Sequence, residues 1–211
     1  MKNQEGVIKY RLDFEKSDPV NESLEELNCW RSILFGLGTI GQDESRYEGY
    51  GFGNLSQRSQ IDEEQFIISG TQTGNLEALT LDHYVRVDHC HVAQNHVIAR
   101  GPVKPSSEAL THSMLYELDS NIKCLVHVHS PQLWNFGLTH EYACTDESVE
   151  YGTQEMATEI VRLYHSGKLR LNKTLIMAGH EDGVICFGDS VDQAGRAFID
   201  LWMTALTSKN K

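Results

Sequence analysis

The sequence predicts an α/β chain in which helices cover a mixed or antiparallel sheet. Segments that alternate with period two, such as IKYRLDF at residues 8–14, are interleaved with segments of helical period, such as SSEALTHSMLYEL at 106–118. The two kinds do not keep a strict strand–helix–strand rhythm, which separates the chain from a doubly wound Rossmann sheet. At 211 residues, with 40% hydrophobic and 23% charged residues, the composition suits one compact unit over residues 1–211.

In chain order, Ile8, Tyr10, Leu12 and Phe14 share one face of a first strand. After Pro19, Asn21 or Ser23 is placed to cap a helix that carries Leu24, Leu27, Arg31 and Leu34 and stops at Gly36 or Gly38. The glycine-rich GQDESRYEGYGFGNLSQRS reads as a loop entering a short strand near residues 54–58, and QFIIS follows as a second after the turn QIDEE. SGTQTGN is another glycine loop. YVRVDHCHV and HVIARG read as paired strands. The helix after Pro105 puts Leu110, Met114 and Leu118 on one stripe. IKCLVHVH is a strand, and Ser130 with Pro131 fits the N-cap and first position of a helix behind it. TQEMATEIVRLYHSG is a helix closed by Gly167. TLIMAGH and GVICFG are strands joined by EDG, and the last helix turns Ala194, Phe198 and Leu201 inward.

A formal net charge of −12 argues against nucleic-acid or anionic-membrane binding, which need basic patches. MKNQEGVIKY has no apolar signal-like core, and no stretch has the apolar length of a membrane span. Five scattered cysteines without C-x-x-C spacing suit free thiols in a reducing cytoplasm.

Chemistry concentrates in CLVHVHSP. Residues i and i+2 of a strand face one side, so His127 and His129 project together at the strand's end. Two buried imidazoles need partners, and a metal would satisfy both; rim histidines bonded to loops or water are the alternative. His180, at the end of TLIMAGH and before the tight EDG turn, is a third candidate nitrogen ligand, and three neutral imidazoles suit a catalytic zinc with an open position. Glu108, opening a helix with His112 one turn on, is placed for general base work beside a metal, or for favourable interaction with the helix dipole. His89 and His91 in VDHCHV repeat the spacing, with His83 and His96 near, but Cys90 faces the other way and no third ligand is positioned at a strand end, so a solvated hairpin is the expectation.

GNLS at 53–56, TQTG at 71–74, PSSE at 105–108, HVHS at 127–130 and a late GH at 179–180 occur in the order found in the class II aldolase/adducin family, which the chain resembles from about Leu24 to Leu206. The resemblance implies a three-layer α/β/α fold around a mainly antiparallel sheet, and a homotetramer with sites at subunit interfaces. It implies Zn2+ or another divalent ion on His127, His129 and His180, with Glu108 as acid/base. It implies that Asn54, Thr73, Gly74, Ser106 and Ser107 hold a substrate phosphate, in keeping with the anion affinity of glycine loops and helix N-termini. The implied activity is cleavage of a C–C bond in a small sugar-phosphate-like substrate. Dehydration or epimerisation at the same site, and a noncatalytic adducin-like interaction module, are the alternatives. The chain departs from the family pattern where Phe52 precedes Gly53, where HEDG adds Glu181 and Asp182 after the third histidine, and in the segment after His129. There Tyr142 and Tyr151 are candidates for the family's second acid/base.

Overall fold

The structure is a computed structural model that describes residues 6–208; residues 1–5, the first half of MKNQEGVIKY, lie outside them. Strand β1 (Arg11–Lys16) is followed by helix α1 (Glu25–Gly36) and a small hairpin, β2 (Gly41–Gln42) and β3 (Gly51–Phe52). Next come β4 (Asn54–Arg58), β5 (Phe66–Ser69), β6 (Tyr84–His91) and β7 (His96–Gly101), then α2 (Ala109–Leu118) and β8 (Cys124–His129). The chain continues through α3 (Pro131–Thr139), β9 (Ala143–Cys144), α4 (Gln154–His165) and α5 (Lys168–Asn172), and ends with β10 (Thr174–Ile176), β11 (Gly183–Gly188) and α6 (Val191–Ser208).

Apart from the β2–β3 hairpin, the strands form one nine-stranded sheet in the order β1-β7-β6-β5-β4-β8-β11-β10-β9. It is mixed: β1–β7 and β9–β10 run parallel, whereas the pairs between them are antiparallel. The expectation of a mainly antiparallel sheet therefore holds through the centre and is corrected at both edges.

Two cores sit on the two faces of the sheet. Leu125, Ile185, Ile68 and Val85 pack with Leu110, Met114 and Leu115 of α2 and with Met156 and Ile160 of α4. Val126, Val128, Val184 and Cys186 face the other way, against Leu27 and Leu34 of α1, Leu133 of α3 and Phe198 and Leu201 of α6. Alternation along β8 and β11 thus feeds both layers, as expected of strands buried on both faces. No helix among the described residues is long and apolar enough to cross a membrane.

Two local expectations are corrected. Neither Asn21 nor Ser23 caps α1; Leu24 occupies the N-cap without a side-chain bond. The preceding segment is committed to β4 instead. The Glu22 carboxylate accepts from Ser59 Oγ at 2.8 Å and the Gln60 amide at 2.6 Å, and the Ser23 carbonyl accepts from Gln57 Nε2 at 3.2 Å. The strand read as TLIMAGH stops at Ile176. Residues 177–180 turn back, with His180 N–H donating to Met177 O at 3.0 Å, because Gly179 must pass against the Val149 carbonyl, where no side chain fits.

Gly195 lies inside α6, where alanine would ordinarily stabilise a helix by up to about 1 kcal/mol. A Cβ there would overlap the Trp30 ring on α1. Gly195→Ala is therefore expected to destabilise by about 1–3 kcal/mol through overpacking. Thermal denaturation should show a lowered melting temperature; a raised one would contradict this packing of α1 on α6.

Candidate metal centre and anion recess

β8 lies between β4 and β11, with His127 opposite Asn54 on one side and Ile185 on the other. Leu125 belongs to the α2-side core, so His127 and His129, two and four residues on, face the same layer. His180 reaches them from the turn beyond β10, which closes when the Gly183 amide donates to the His180 carbonyl at 2.9 Å. One ring nitrogen from each of the three histidines lies within 4.8 Å of the others. The three residues are 0%, 0% and 2% exposed.

The protonation of His127 follows from its burial and its hydrogen bond. His127 Nδ1 lies 3.2 Å from the Val184 carbonyl, which can only accept, so this nitrogen carries the proton. Nε2 is then a bare lone pair, 3.1 Å from His129 Nε2. Burial, followed by the neighbouring rings of His129, His180 and His112, holds the His127 pKa well below its ordinary value. Neutral imidazoles with converging lone pairs and an oriented second nitrogen are what a divalent zinc-like ion requires.

Glu108 is fully buried and stands at the N-cap of α2. Its side chain does not cap that helix; Oε1 lies 3.3 Å from His180 Nδ1. The carboxylate is thus directed at the histidine cluster. His112, one turn along, places Nδ1 2.7 Å from Ser56 Oγ, which lies 2.7 Å from the Tyr116 hydroxyl. Burial pushes the His112 pKa down to about 3. Of the two tyrosines considered, Tyr151 stacks on His180 at 4.5 Å between ring centroids. Tyr142 instead packs beside Phe136 and lines a groove against α6, away from the cluster.

Asn54, Thr73, Gly74, Ser106 and Ser107 line a single polar recess, with Gln72 among them. Gly74 approaches the Gly41 backbone so closely that a Cβ would overlap it. Arg31, buried on the inner stripe of α1, donates to the carbonyls of Thr73 and Glu77, each at 3.0 Å, and so pins this loop from below. His89 and His91 lie on β6 in the predicted hairpin, and a register shift between Val87 and His89 interrupts their strand.

Sequence reasoning passed over Arg46 and Tyr47. The Tyr47 ring meets His129 edge-on at 4.8 Å, and its hydroxyl donates to Asp182 Oδ2 at 2.6 Å while accepting from Arg46 Nη2 at 2.6 Å. The one available signal was the carboxylate pair in HEDG; nothing in RYEG marks it as a partner.

Comparison with known proteins agrees with this architecture. The sequence model of the Class II Aldolase and Adducin N-terminal domain matches residues 43–206. A methylthioribulose-1-phosphate dehydratase of Citrobacter koseri is 26% identical over 166 residues, covering 68% of this chain and 76% of that protein. The sugar-phosphate aldolase of Thermotoga maritima superposes with a TM-score of 0.65 at 16% identity, covering 87% of this chain and 92% of that one. The L-fuculose-1-phosphate aldolase of Thermus thermophilus gives 0.61 at 16% identity, covering 88% and 91%. At such identities the two structures establish a common fold.

A histidine whose folded pKa is about 3 binds a proton in the unfolded chain first as pH falls. The stability it contributes is therefore complete above about pH 6.5 and is lost as pH falls from there towards 3, by about 1.4 kcal/mol per unit. Urea unfolding at pH 7 and pH 5 should show a drop that is smaller in His112→Gln by roughly 2 kcal/mol. Equal drops in the two proteins would contradict a neutral buried His112.

Proposed function

The chain belongs to the class II aldolase and adducin N-terminal domain family, and we propose that it is a divalent-metal-dependent lyase acting on a small phosphorylated hydroxy-carbonyl compound. The observation that carries this reading is the convergence of three buried imidazole nitrogens with the Glu108 carboxylate beside them. His127, His129 and His180 would hold Zn2+ or a related divalent ion. Such an ion, when bound, supplies a Lewis acid for a substrate carbonyl.

The protein's own groups account for the remainder of the chemistry. Glu108 would take a proton from, or return it to, the carbon next to the carbonyl, a contribution of typically ~10²–10⁴ in rate. Its burial excludes water from that transfer. The recess lined by Asn54, Thr73, Gly74, Ser106 and Ser107 would hold the phosphate, since it offers hydroxyls, amides and the approach to α2 and no carboxylate. Tyr151, stacked on His180, is the better placed of the two candidate tyrosines for a second proton.

Dehydration is the second reading, favoured by the resemblance to the Citrobacter dehydratase. It uses proton transfer at the same carbon in the opposite sense: the proton beside the carbonyl would be removed and hydroxide would leave from the next carbon, whereas in C–C cleavage the β-hydroxyl would lose its proton, the bond would break and the carbon beside the carbonyl would gain one. Epimerisation would use the same groups. A noncatalytic module has less support, because the three histidines and the glutamate are all present and assembled. We place the enzyme in the cytoplasm, where its five free cysteines would stay reduced. As the family resemblance suggests, we also propose that it acts as a homotetramer, with neither nucleic acid nor membrane as partner.

Purified protein should contain about one zinc-like ion per chain. His127→Ala, His129→Ala or His180→Ala should each remove most of it. In a screen of phosphorylated ketoses and aldoses, Glu108→Gln should keep the metal and the fold but lower kcat by ~10² or more. Near wild-type turnover in that variant would remove Glu108 from the mechanism; full metal content in all three histidine variants would refute the ligand assignment.

A further inference from the structure

The histidines and Glu108 are at most 2% exposed, so a substrate that reacts there needs a part of the protein to move. Most of the enclosure cannot. β4, β8 and β11 are central strands bonded on both sides, and α2 is anchored in the core. One part that can is the excursion between β2 and β3. It is exposed at Asp43, Glu44, Ser45 and Glu48, yet it lays the Tyr47 ring on His129.

We propose that residues 43–50 form a gate over the metal site, latched by the Tyr47 hydroxyl on Asp182. The proposal rests on the metal-site reading above. The segment makes local backbone bonds and belongs to no strand of the main sheet: Arg46 donates to the Asp43 carbonyl, Gly49 to Arg46 and Tyr50 to Tyr47. It can therefore swing as a unit without breaking the main sheet. Side-chain contacts tie its tip down. Tyr47 donates to Asp182 at 2.6 Å, and Arg46 stands 3.9 Å from the same oxygen while covering the Tyr47 and Phe52 rings.

The latch is under backbone strain. Tyr47 and Glu48 have φ of 50° and 58°, and Gly49 follows at 80°. Side chains other than glycine rarely adopt such conformations, and they persist where surrounding contacts over-determine them. Releasing the hydroxyl from Asp182 removes one of those contacts. The receiving residue is itself held: Asp182 has a φ of 64° and its carbonyl accepts from the Ser130 amide at 3.0 Å. Asp182 sits two residues after His180, on the turn that carries this ligand. The additional carboxylate in HEDG and the tip of the RYEG loop thus meet at one point, at the mouth of the histidine cluster.

The test uses two variants that delete the latch and keep its shape, Tyr47→Phe and Asp182→Asn. The probe is the rate at which diethyl pyrocarbonate labels each histidine of the metal-stripped protein, followed residue by residue by mass spectrometry. Labelling of His127, His129 and His180 should accelerate about tenfold or more in both variants, the order expected for loss of a hydrogen bond to a charged group. Labelling of exposed His140 should not change. Unchanged rates at the three buried histidines in both variants would overturn the gate, as would equal acceleration at every histidine, which signals general loosening. The labelling needs no metal. A wild-type protein that binds no divalent ion would therefore defeat the metal reading separately, while the labelling rates still decide the gate.

Discussion

Burying three imidazoles and a carboxylate in the middle of a sheet is unfavourable unless each finds a partner, and much of the architecture serves that requirement. His127 and His129 are available to one another because a strand repeats every two residues. They are buried because β8 is a central strand with antiparallel neighbours on both sides. The Val184 carbonyl on β11 orients one ring, and Glu108 from the start of α2 meets His180. A shift of β8 by one residue would place Val126 and Val128 where the histidines are and turn the histidines into the α1–α6 core.

The same frame explains the recess. Asn54 is paired with His127 in register, so the strand that contributes to the wall of the recess is the neighbour of the strand that carries the histidines. Arg31 does its work indirectly. The residue is buried, and its guanidinium is spent on two carbonyls of the 73–77 loop and so fixes the wall that Thr73 and Gly74 provide. Two candidate sites of different chemistry are thereby tied to one pair of strands.

Features governed by local periodicity were legible in the sequence. The helical stripe of α6, the Ser130–Pro131 start of α3 and the strand-end pair His127 and His129 follow from spacing alone, and the structure places them accordingly. The single stripe expected of α2 is corrected: residues 109–116 are all buried, and Leu118 is only half-buried. His180 was identified for its position before a tight turn, although it lies beyond the strand's end. What spacing cannot convey is long-range pairing. The parallel edges β1–β7 and β9–β10 depend on which strands meet after long connections. The diversion of Glu22 to Ser59 leaves α1 without its expected cap, and the contact of Tyr47 with Asp182 joins residues 135 apart. Each is a side-chain choice made by tertiary structure. The roles of Asn54, Thr73, Gly74, Ser106 and Ser107 were approached only through ordered motifs shared with a family, and the structure adds that these residues line one recess.

The central claim is that three histidine nitrogens hold one divalent ion. X-ray absorption at the edge of the metal in the purified protein reports the ligands directly. The account predicts a first shell of nitrogen and oxygen at about 2.0–2.1 Å with the outer scattering of about three imidazoles. A shell containing thiolate sulfur at about 2.3 Å, or one without imidazole scattering, would contradict it.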